Sequence, residues 1–225
     1  MLRVGLTGEL GSGKSTVARM LSERGAAVLS SDEMGRALMQ PGQPAFAKIV
    51  AAFGQEVLSA DGTLDRKRLA ALAFDAQRPR VEELNAIVHP AVIDEQAVQM
   101  AELARVTPHA IVVVESALIF STQYGSRGGW RSRFHTVLIV TAPDEVKMER
   151  FIGRIAAERT LTGEERAALS ADAWRRLQIQ HQTPCPSDGI LLHNDGDVDA
   201  LERQVDVVWE QLQKMERQSA GSTAG

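Results

Sequence analysis

Residues Gly8-Glu9-Leu10-Gly11-Ser12-Gly13-Lys14-Ser15 follow the pattern G-x-x-x-x-G-K-S, and an apolar stretch at residues 2–7 runs directly into them. Glycines allow positive φ and close backbone approach, so successive N–H groups of such a loop can surround phosphate oxygens where the next helix begins. In loops of this pattern the lysine reaches the β- and γ-phosphates and the serine hydroxyl holds Mg²⁺. The sequence therefore predicts a phosphate-binding loop in which Lys14 is catalytic and Ser15 is a metal ligand.

The residues around the loop distinguish it from a glycine-rich turn that binds nothing. Val17, Met20 and Leu21 recur at helical spacing after it, and Gly25 lies where a helix C-cap belongs. A strand before the loop and an amphipathic helix after it are the context that this motif requires. We expect the nucleotide to contact the loop residues, which are Gly8, Glu9, Leu10, Gly11, Ser12, Gly13, Lys14, Ser15 and Thr16.

The composition narrows the class of partner. The chain has 225 residues, a formal net charge of -4 and a single cysteine. This length suits one α/β domain with appendages, and the absence of a long basic run argues against a nucleic acid or a membrane as partner. One cysteine excludes an internal disulfide framework and fits a reducing compartment. We expect a monomeric, cytoplasmic protein that acts on a small molecule.

A second apolar run at residues 26–30 is followed by Ser31 and Asp32. In an open parallel sheet the ligand crevice lies outside the carboxyl ends of the strands, so we predict that Asp32 faces the same cleft as the phosphate loop. There its carboxylate would be the catalytic group that accepts or orients the proton of the attacking hydroxyl. The alternative is that Asp32 is only the N-cap of the next helix, which its residue type and position also suit.

Residues 41–108 show helical patterns broken by turn signals and no convincing central strand. A crossover between parallel strands needs only about a dozen residues, so this longer excursion predicts a helical subdomain that covers something. Within it, His89-Pro90 indicates a helix start that leaves His89 extended and accessible. A purely structural histidine is the alternative.

Residues 110–115 are the clearest buried strand, a β-branched run that ends in Glu115. It resembles the strand whose terminal carboxylate holds Mg²⁺ directly or through water in nucleotide-hydrolysing and nucleotide-using folds. The alternative is a glutamate that merely ends a strand in solvent. Further apolar runs at residues 135–140 and 189–193 complete a predicted five-stranded sheet.

Arginines cluster between the last two predicted strands. Arg150 and Arg154 are four residues apart and therefore share one helix face, and more arginines follow at 159, 166, 175 and 176. Cations in this connection suit a lid that closes over transferring phosphoryl groups, and we predict catalytic roles for Arg150 and Arg154. The alternative is a solvated face on which they pair with nearby acids such as Asp144.

The ordered set of motifs resembles the dephospho-CoA kinase family, and the resemblance covers nearly the whole chain. It is carried by Gly5-Leu6-Thr7-Gly8, Ser31-Asp32 with Arg36, Pro41-Gly42, Phe53-Gly54, Leu64-Asp65-Arg66, His89-Pro90 and Asn194-Asp195-Gly196. The resemblance implies a three-layer α/β/α P-loop kinase fold similar to nucleoside-monophosphate kinases, with a five-stranded parallel core, a helical CoA-binding region and a lid. It also implies transfer of the γ-phosphoryl of ATP to the 3′-hydroxyl of dephospho-CoA, with Mg²⁺, in the last step of coenzyme A synthesis.

The resemblance also assigns residues and boundaries. It implies that Asn194 and Gly196 contact the nucleotide, and that the acceptor contacts Thr7, Asp32, Arg36, Arg66, His89 and Glu115. We expect one domain over residues 1–217 followed by a disordered tail at 218–225. Within it the expected parts are a core at 1–32, 109–146 and 187–217, a CoA-binding insertion at 33–108 and a lid region at 147–186.

The chain departs from the family's usual pattern in places. Relatives often have Asp-Ala-Asp where this chain has Ser30-Ser31-Asp32, and Glu115-Ser116-Ala117-Leu118-Ile119 lacks the usual proline. Residues 180–188 lack a lysine that relatives usually have, and residues 158–173 are expanded. These changes bear on the lid and on acceptor contacts.

Other protein classes share the phosphate loop. A switch GTPase is one, but the chain contains no N-K-x-D motif that would select guanine. A kinase of nucleoside monophosphates or of shikimate is a second, and the long helical excursion argues against it. A non-catalytic ATP-binding module is the third, disfavoured because Lys14, Ser15, Asp32 and Glu115 together form a catalytic set.

Overall fold

A computed structural model describes residues 1–75, 77–120, 129–182 and 186–221, so Cys185 lies outside the described residues. In this part of the chain the backbone forms five β-strands and eight α-helices. In chain order they are β1 (Leu2–Gly8), α1 (Lys14–Glu23), β2 (Ala27–Ser30), α2 (Ser31–Leu38), α3 (Pro44–Phe53), α4 (Arg66–Ala73), α5 (Val81–Val106), β3 (Ile111–Glu115), β4 (Thr136–Thr141), α6 (Asp144–Glu158), α7 (Gly163–His181), β5 (Ile190–His193) and α8 (Val198–Gly221).

The strands form one sheet in the order β2-β3-β1-β4-β5. β1 pairs in parallel with β3 from Leu2↔Ile111 to Leu6↔Glu115, and β4 pairs in parallel with both β1 and β5. The inner strands read as continuous apolar runs because both faces of a parallel sheet are covered. The predicted five-stranded parallel sheet and the α/β P-loop kinase fold are confirmed.

The main core lies where α1 and α8 pack against the sheet. Alternate residues of β1 (Leu2, Val4 and Leu6) are fully buried there. The helices supply apolar side chains at spacings of three and four, which places them on one face of each helix. From α1 and α8 these are Val17, Met20, Leu21, Leu201, Val205, Val208 and Leu212. α8 ends at Gly221, four residues past position 217, which is the expected end of the domain.

The chain divides into two compact units. The described residues of the first are 1–29, 103–120, 129–182 and 186–221, and it contains most of the sheet with α1, α6, α7 and α8. The second comprises residues 30–75 and 77–102 and contains α2 to α4 and most of α5. It has its own small core, formed by Ile49, Phe53, Val57, Leu69 and Ala73. The predicted helical character of this part of the chain is confirmed.

The prediction that Pro90 starts a helix is wrong. α5 extends from Val81 to Val106, and Pro90 lies inside it. Proline removes one backbone donor and disturbs the preceding turn, but apolar residues on both sides of it pack: Ile87 and Val88 against the second unit's core, and Val92 in a buried position. Packing of both halves outweighs the local cost, so His89 is helical and half-buried rather than extended. Burial lowers the pKa of His89, against a smaller opposing effect of Glu82.

In the described residues we find no helix that is long and apolar enough to cross a membrane.

Candidate active site

The loop between β1 and α1 has the backbone that its glycines predict. Gly11 has φ 73° and Gly13, the N-cap of α1, has φ 96°, a conformation that side-chain-bearing residues rarely adopt. A Cβ at Gly11 would also overlap the backbone oxygen of Lys147, and one at Gly13 would overlap the side-chain amide of Asn194. These positions therefore need glycine both for conformation and for the close approach of neighbouring elements.

The Lys14 ammonium lies across the first part of this loop. Its Nζ donates to the backbone oxygens of Gly8 at 2.8 Å and Glu9 at 3.0 Å. Both acceptors are neutral carbonyls, and a phosphate oxygen would offer a charged one, which makes a stronger hydrogen bond. The Lys14 ammonium therefore lies inside the loop, at the first residue of α1, and its catalytic role stays a prediction.

Ser15 and Glu115 meet, although they are 100 residues apart in sequence. The Ser15 hydroxyl donates to Glu115 Oε1 at 2.7 Å, because β3, which ends at Glu115, lies next to β1 in the sheet. Glu115 therefore does not simply end a strand in solvent. A hydroxyl and a carboxylate are the hard oxygen donors that Mg²⁺ binds, so the pair fits the predicted metal site.

The second half of the loop is attached to β5 and α6 through Asn194. The buried Asn194 side chain donates from Nδ2 to the Ser12 backbone oxygen at 2.8 Å. Arg150 in turn donates to the Asn194 backbone oxygen at 2.9 Å and to its Oδ1 at 3.2 Å. The predicted nucleotide contact Asn194 and the predicted catalytic Arg150 are thus brought together, with Asn194 between Arg150 and the loop. Gly196 is exposed two residues further on.

Arg154 lies on the same helix but in different surroundings. Its side chain is exposed, and its guanidinium carbon lies 5.9 Å from the ring centroid of Phe151. Arg176 of α7 approaches the same ring at 5.8 Å. Asp144, a suggested surface partner of these arginines, pairs instead with Lys147 at 2.7 Å. The helix face predicted to carry Arg150 and Arg154 exists, and their catalytic roles stay predictions.

The first half of the loop has contacts that its motif does not predict. The Glu9 carboxylate pairs with Lys147 of α6, and His181 of α7 lies 3.3 Å from the same carboxylate. The Leu10 N–H donates to Gln180 Oε1 at 2.8 Å. The only sequence signal for this cluster is the spacing of Asp144 and Lys147, three residues apart at the start of a helix that follows a strand.

A cavity of about 610 Å³ opens beside the loop. Thr7, Gly8 and Glu9 line one side of it, so the predicted acceptor contact Thr7 and the loop share this space. The rest of the wall comes from Ala117, Leu118, Phe120, Ile139, Val140, Thr141, Ile179, Gln180, His181 and Leu191. A concave surface with a largely apolar wall and a few polar groups at one edge is the form that small-molecule sites take.

Asp32 belongs to the second unit, where it lies exposed in the first turn of α2. The alternative that Asp32 caps this helix is wrong, because the N-cap is Ser30, whose Oγ accepts from the Glu33 N–H at 3.4 Å. The helix starts at Ser31, earlier than the sequence indicated, and therefore takes its cap from the end of β2. Asp32 is left with a carboxylate that no capping bond uses.

The other predicted acceptor residues also belong to the second unit. Arg36 is exposed on α2, and His89 is half-buried in α5. Arg66 is the first residue of α4, after Asp65, whose carboxylate caps that helix. Arg66 lines a cavity of about 380 Å³ together with Met39, Gln40, Thr63, Leu64, Leu69, Ala70, Phe74 and Leu84.

The loop between β1 and α1, the Ser15–Glu115 pair and the strand order define the class of protein, a P-loop kinase. The dephospho-CoA kinase family profile matches residues 2–198. A dephospho-CoA kinase of Moorella thermoacetica is 36% identical over 214 residues, which cover 95% of this chain and 93% of the relative. That of Thermobifida fusca is 38% identical over 215 residues, covering 95% and 98%. The chain belongs to the dephospho-CoA kinase family.

Solved structures share the fold of this chain. A Thermus thermophilus protein superposes with a TM-score of 0.62 at 30% identity and covers 94% of this chain and 97% of its own. A dephospho-CoA kinase from Campylobacter jejuni superposes with a TM-score of 0.54 at 18% identity, again over 94% and 97%, and shows the same fold.

Proposed function

We propose that this protein is a dephospho-CoA kinase, which transfers the γ-phosphoryl of ATP to the 3′-hydroxyl of dephospho-CoA. Family membership over residues 2–198 supports the assignment of ATP and dephospho-CoA as the substrates. The observation that carries the chemistry is the arrangement of one ammonium and two oxygen donors around the loop, from Lys14, Ser15 and Glu115. No comparable set would be needed in a module that only binds nucleotide.

Phosphoryl transfer requires positioning and charge stabilisation rather than covalent participation by the protein. The N–H groups at the start of α1 bind the phosphates, and Lys14 moves from its backbone acceptors to the β- and γ-phosphate oxygens. Ser15 and Glu115 would hold Mg²⁺, which neutralises charge that develops on the phosphates. Asn194 keeps Ser12 in place while the nucleotide is bound.

On the acceptor side, we propose that Asp32 receives or orients the proton of the 3′-hydroxyl. Its carboxylate is exposed and is not the helix cap, which supports a role toward a ligand. We further propose that residues 33–108 bind the CoA portion, with Arg36, Arg66 and His89 among the contacts. The cavity lined by Arg66 supports this, since a guanidinium beside an apolar wall suits a phosphate-bearing molecule with an apolar arm.

The lid assignment of residues 147–186 is part of the same proposal. The exposed Arg154 guanidinium at the Phe151 ring supports it, since a lid needs a cation that can reach a ligand, whereas Arg176 at the same ring pairs with Asp172 at 2.7 Å. We also propose that Mg²⁺ is the physiological metal and that the enzyme is a cytoplasmic monomer with no nucleic-acid or membrane partner. The net charge of -4 supports the last point.

A panel of acceptors tests the proposal. ADP release is measured with purified protein and ATP on dephospho-CoA, AMP, adenosine and shikimate, with GTP as the alternative donor. We expect dephospho-CoA and ATP to give the highest kcat/KM. A higher value with AMP or shikimate would replace the assignment with another small-molecule kinase, and a preference for GTP would point to the GTPase class.

A further inference from the structure

The Lys147 side chain is the most deeply buried charge around the phosphate loop. It is 3% exposed, and its ammonium pairs with the carboxylates of Glu9 and, at 2.7 Å, Asp144. Burying an ammonium costs free energy unless it is paired and hydrogen-bonded, so Lys147 depends on its two carboxylate partners. Although burial alone lowers the pKa of Lys147, its bonds to Asp144 and Glu9 outweigh that effect and raise the pKa above its usual value.

Glu9 is an unexpected residue at its position. It is the second residue of a loop that must attract the negative charges of a triphosphate, and it brings a further negative charge to that loop. Like charges repel each other, and the repulsion grows as water is excluded from between them. Lys147 of α6 and His181 of α7 are the basic groups on that carboxylate, so the charge of Glu9 is balanced by elements outside the loop.

A chain of contacts connects this ion pair to the catalytic lysine. The Glu9 side chain is held by Lys147, and the Glu9 backbone oxygen accepts from Lys14 Nζ at 3.0 Å. The Lys147 backbone oxygen also lies against Gly11, where a Cβ would overlap it. Both the side chain and the backbone of Lys147 therefore define where the first half of the loop lies.

The cluster also contains atoms that could bind a metal, since Glu9, Asp144 and His181 place one ligand atom each within 4.8 Å of one another. The Lys147 ammonium, however, is bonded to both carboxylates of that set. The Lys147 ammonium is therefore the positive charge that these two carboxylates share.

We propose that Lys147 is a positioning residue for ATP, because it neutralises Glu9 and thereby fixes the first half of the phosphate loop. This inference rests on the proposed function, because it concerns the same nucleotide site. It differs from a purely stabilising role in its readout, which is the affinity of the folded protein for ATP rather than its thermal unfolding. Removing Lys147 should weaken ATP binding, and removing the Glu9 charge as well should restore it.

A double-mutant cycle on ATP binding tests this. The variants are Lys147→Met, Glu9→Gln and the double variant, with Lys147→Arg as the conservative replacement. Lys214→Met is the matched control, since it makes the same substitution at an exposed position on α8. The dissociation constant of ATP is measured by calorimetry without acceptor, and thermal unfolding confirms that each variant is folded.

We expect Lys147→Met to weaken ATP binding by about 10-fold, and the double variant to bind ATP within about twofold of Glu9→Gln, as for contacting charges. Lys147→Arg should bind nearly as the wild type does, and Lys214→Met should be unchanged. A double variant that binds no better than Lys147→Met would overturn the proposal. If Lys147→Met does not fold, unequal ATP binding by Glu9→Gln and the double variant overturns it instead. Wild-type protein that does not bind ATP would refute the proposed function itself.

Discussion

Replacing Arg150 with alanine separates two roles that the sequence alone could not distinguish. One is support of the phosphate loop through Asn194, and the other is direct contact with the phosphates. In the structure Arg150 donates two hydrogen bonds to Asn194, at 2.9 and 3.2 Å, and Asn194 holds the Ser12 backbone oxygen. A bond from a charged donor contributes about 1.5 to 3 kcal/mol. Because Arg150 is only half-buried and its second bond is long, we take about 2 to 3 kcal/mol for the pair.

That loss converts into a measurable change in melting temperature. For a chain of this size 1 kcal/mol corresponds to about 2 to 4 °C, so Arg150→Ala should lower Tm by about 4 to 12 °C. The loop would also lose its support at Ser12, and misplacement by about 1 Å can cost about 100-fold in rate. We therefore expect kcat/KM for ATP to fall by about 10- to 100-fold together with Tm.

Arg154→Ala, four residues along the same helix, is the matched control for the change in Tm. The Arg154 guanidinium carbon lies 5.9 Å from the ring centroid of Phe151, and an exposed cation–ring interaction of this kind contributes about 0.5 to 1 kcal/mol. Tm should therefore move by no more than about 4 °C. Differential scanning fluorimetry and initial-rate kinetics on both variants complete the assay. If Arg150→Ala keeps the wild-type Tm while kcat falls, its bonds to Asn194 do not support the loop, and a direct role at the phosphates replaces this reasoning.

Further variants test the remaining assignments. Lys14→Ala should abolish phosphoryl transfer with an unchanged circular dichroism spectrum, and near-normal turnover would refute the assignment of the loop. Asp32→Asn should lower kcat by about 10²- to 10⁴-fold with little change in ATP affinity, whereas a loss of Tm alone would reduce Asp32 to a helix-stabilising charge. The hydrogen bond from Lys147 lowers the pKa of Asp144, so Asp144 stabilises the fold above the unfolded-state pKa, and this contribution disappears as pH falls through the lower folded-state pKa. In urea titrations the difference in unfolding free energy between wild type and Asp144→Asn should thus shrink from pH 7 to pH 3, and a constant difference would contradict it.

The elements that the sequence predicted well are those defined by local pattern. Apolar runs bounded by turn residues identified each strand, and the loop motif required a strand and a helix on either side. The proximity of Ser15 and Glu115 could also be predicted, because carboxyl ends of parallel strands lie at one edge of a sheet: Glu115 ends β3, and the loop that follows β1 leads to Ser15. Local pattern and tertiary structure agree at these positions.

The prediction of a helix start at Pro90 failed, and so did the alternative interpretation of Asp32 as a helix cap. Pro90 usually marks a helix boundary, but apolar residues before and after it are packed, and α5 continues through it. Asp32 is a good capping residue, but Ser30 lies at the end of β2 and takes that position first. At Pro90 the outcome depends on packing against residues distant in sequence, and at Asp32 it depends on where β2 ends, two residues earlier.

Helical periodicity indicates which side chains share a face, but not what lies opposite that face. Lys147 and Arg150 are three residues apart on α6, yet one reaches Glu9 and the other reaches Ser12 through Asn194. Their contacts therefore support the two halves of the phosphate loop from a single helix that contains none of the motif. Since an α-helix is stiff over two turns, a shift of α6 would displace both halves together. The start of α6 therefore functions with the loop, and substitutions there should alter ATP binding even though no nucleotide motif includes them.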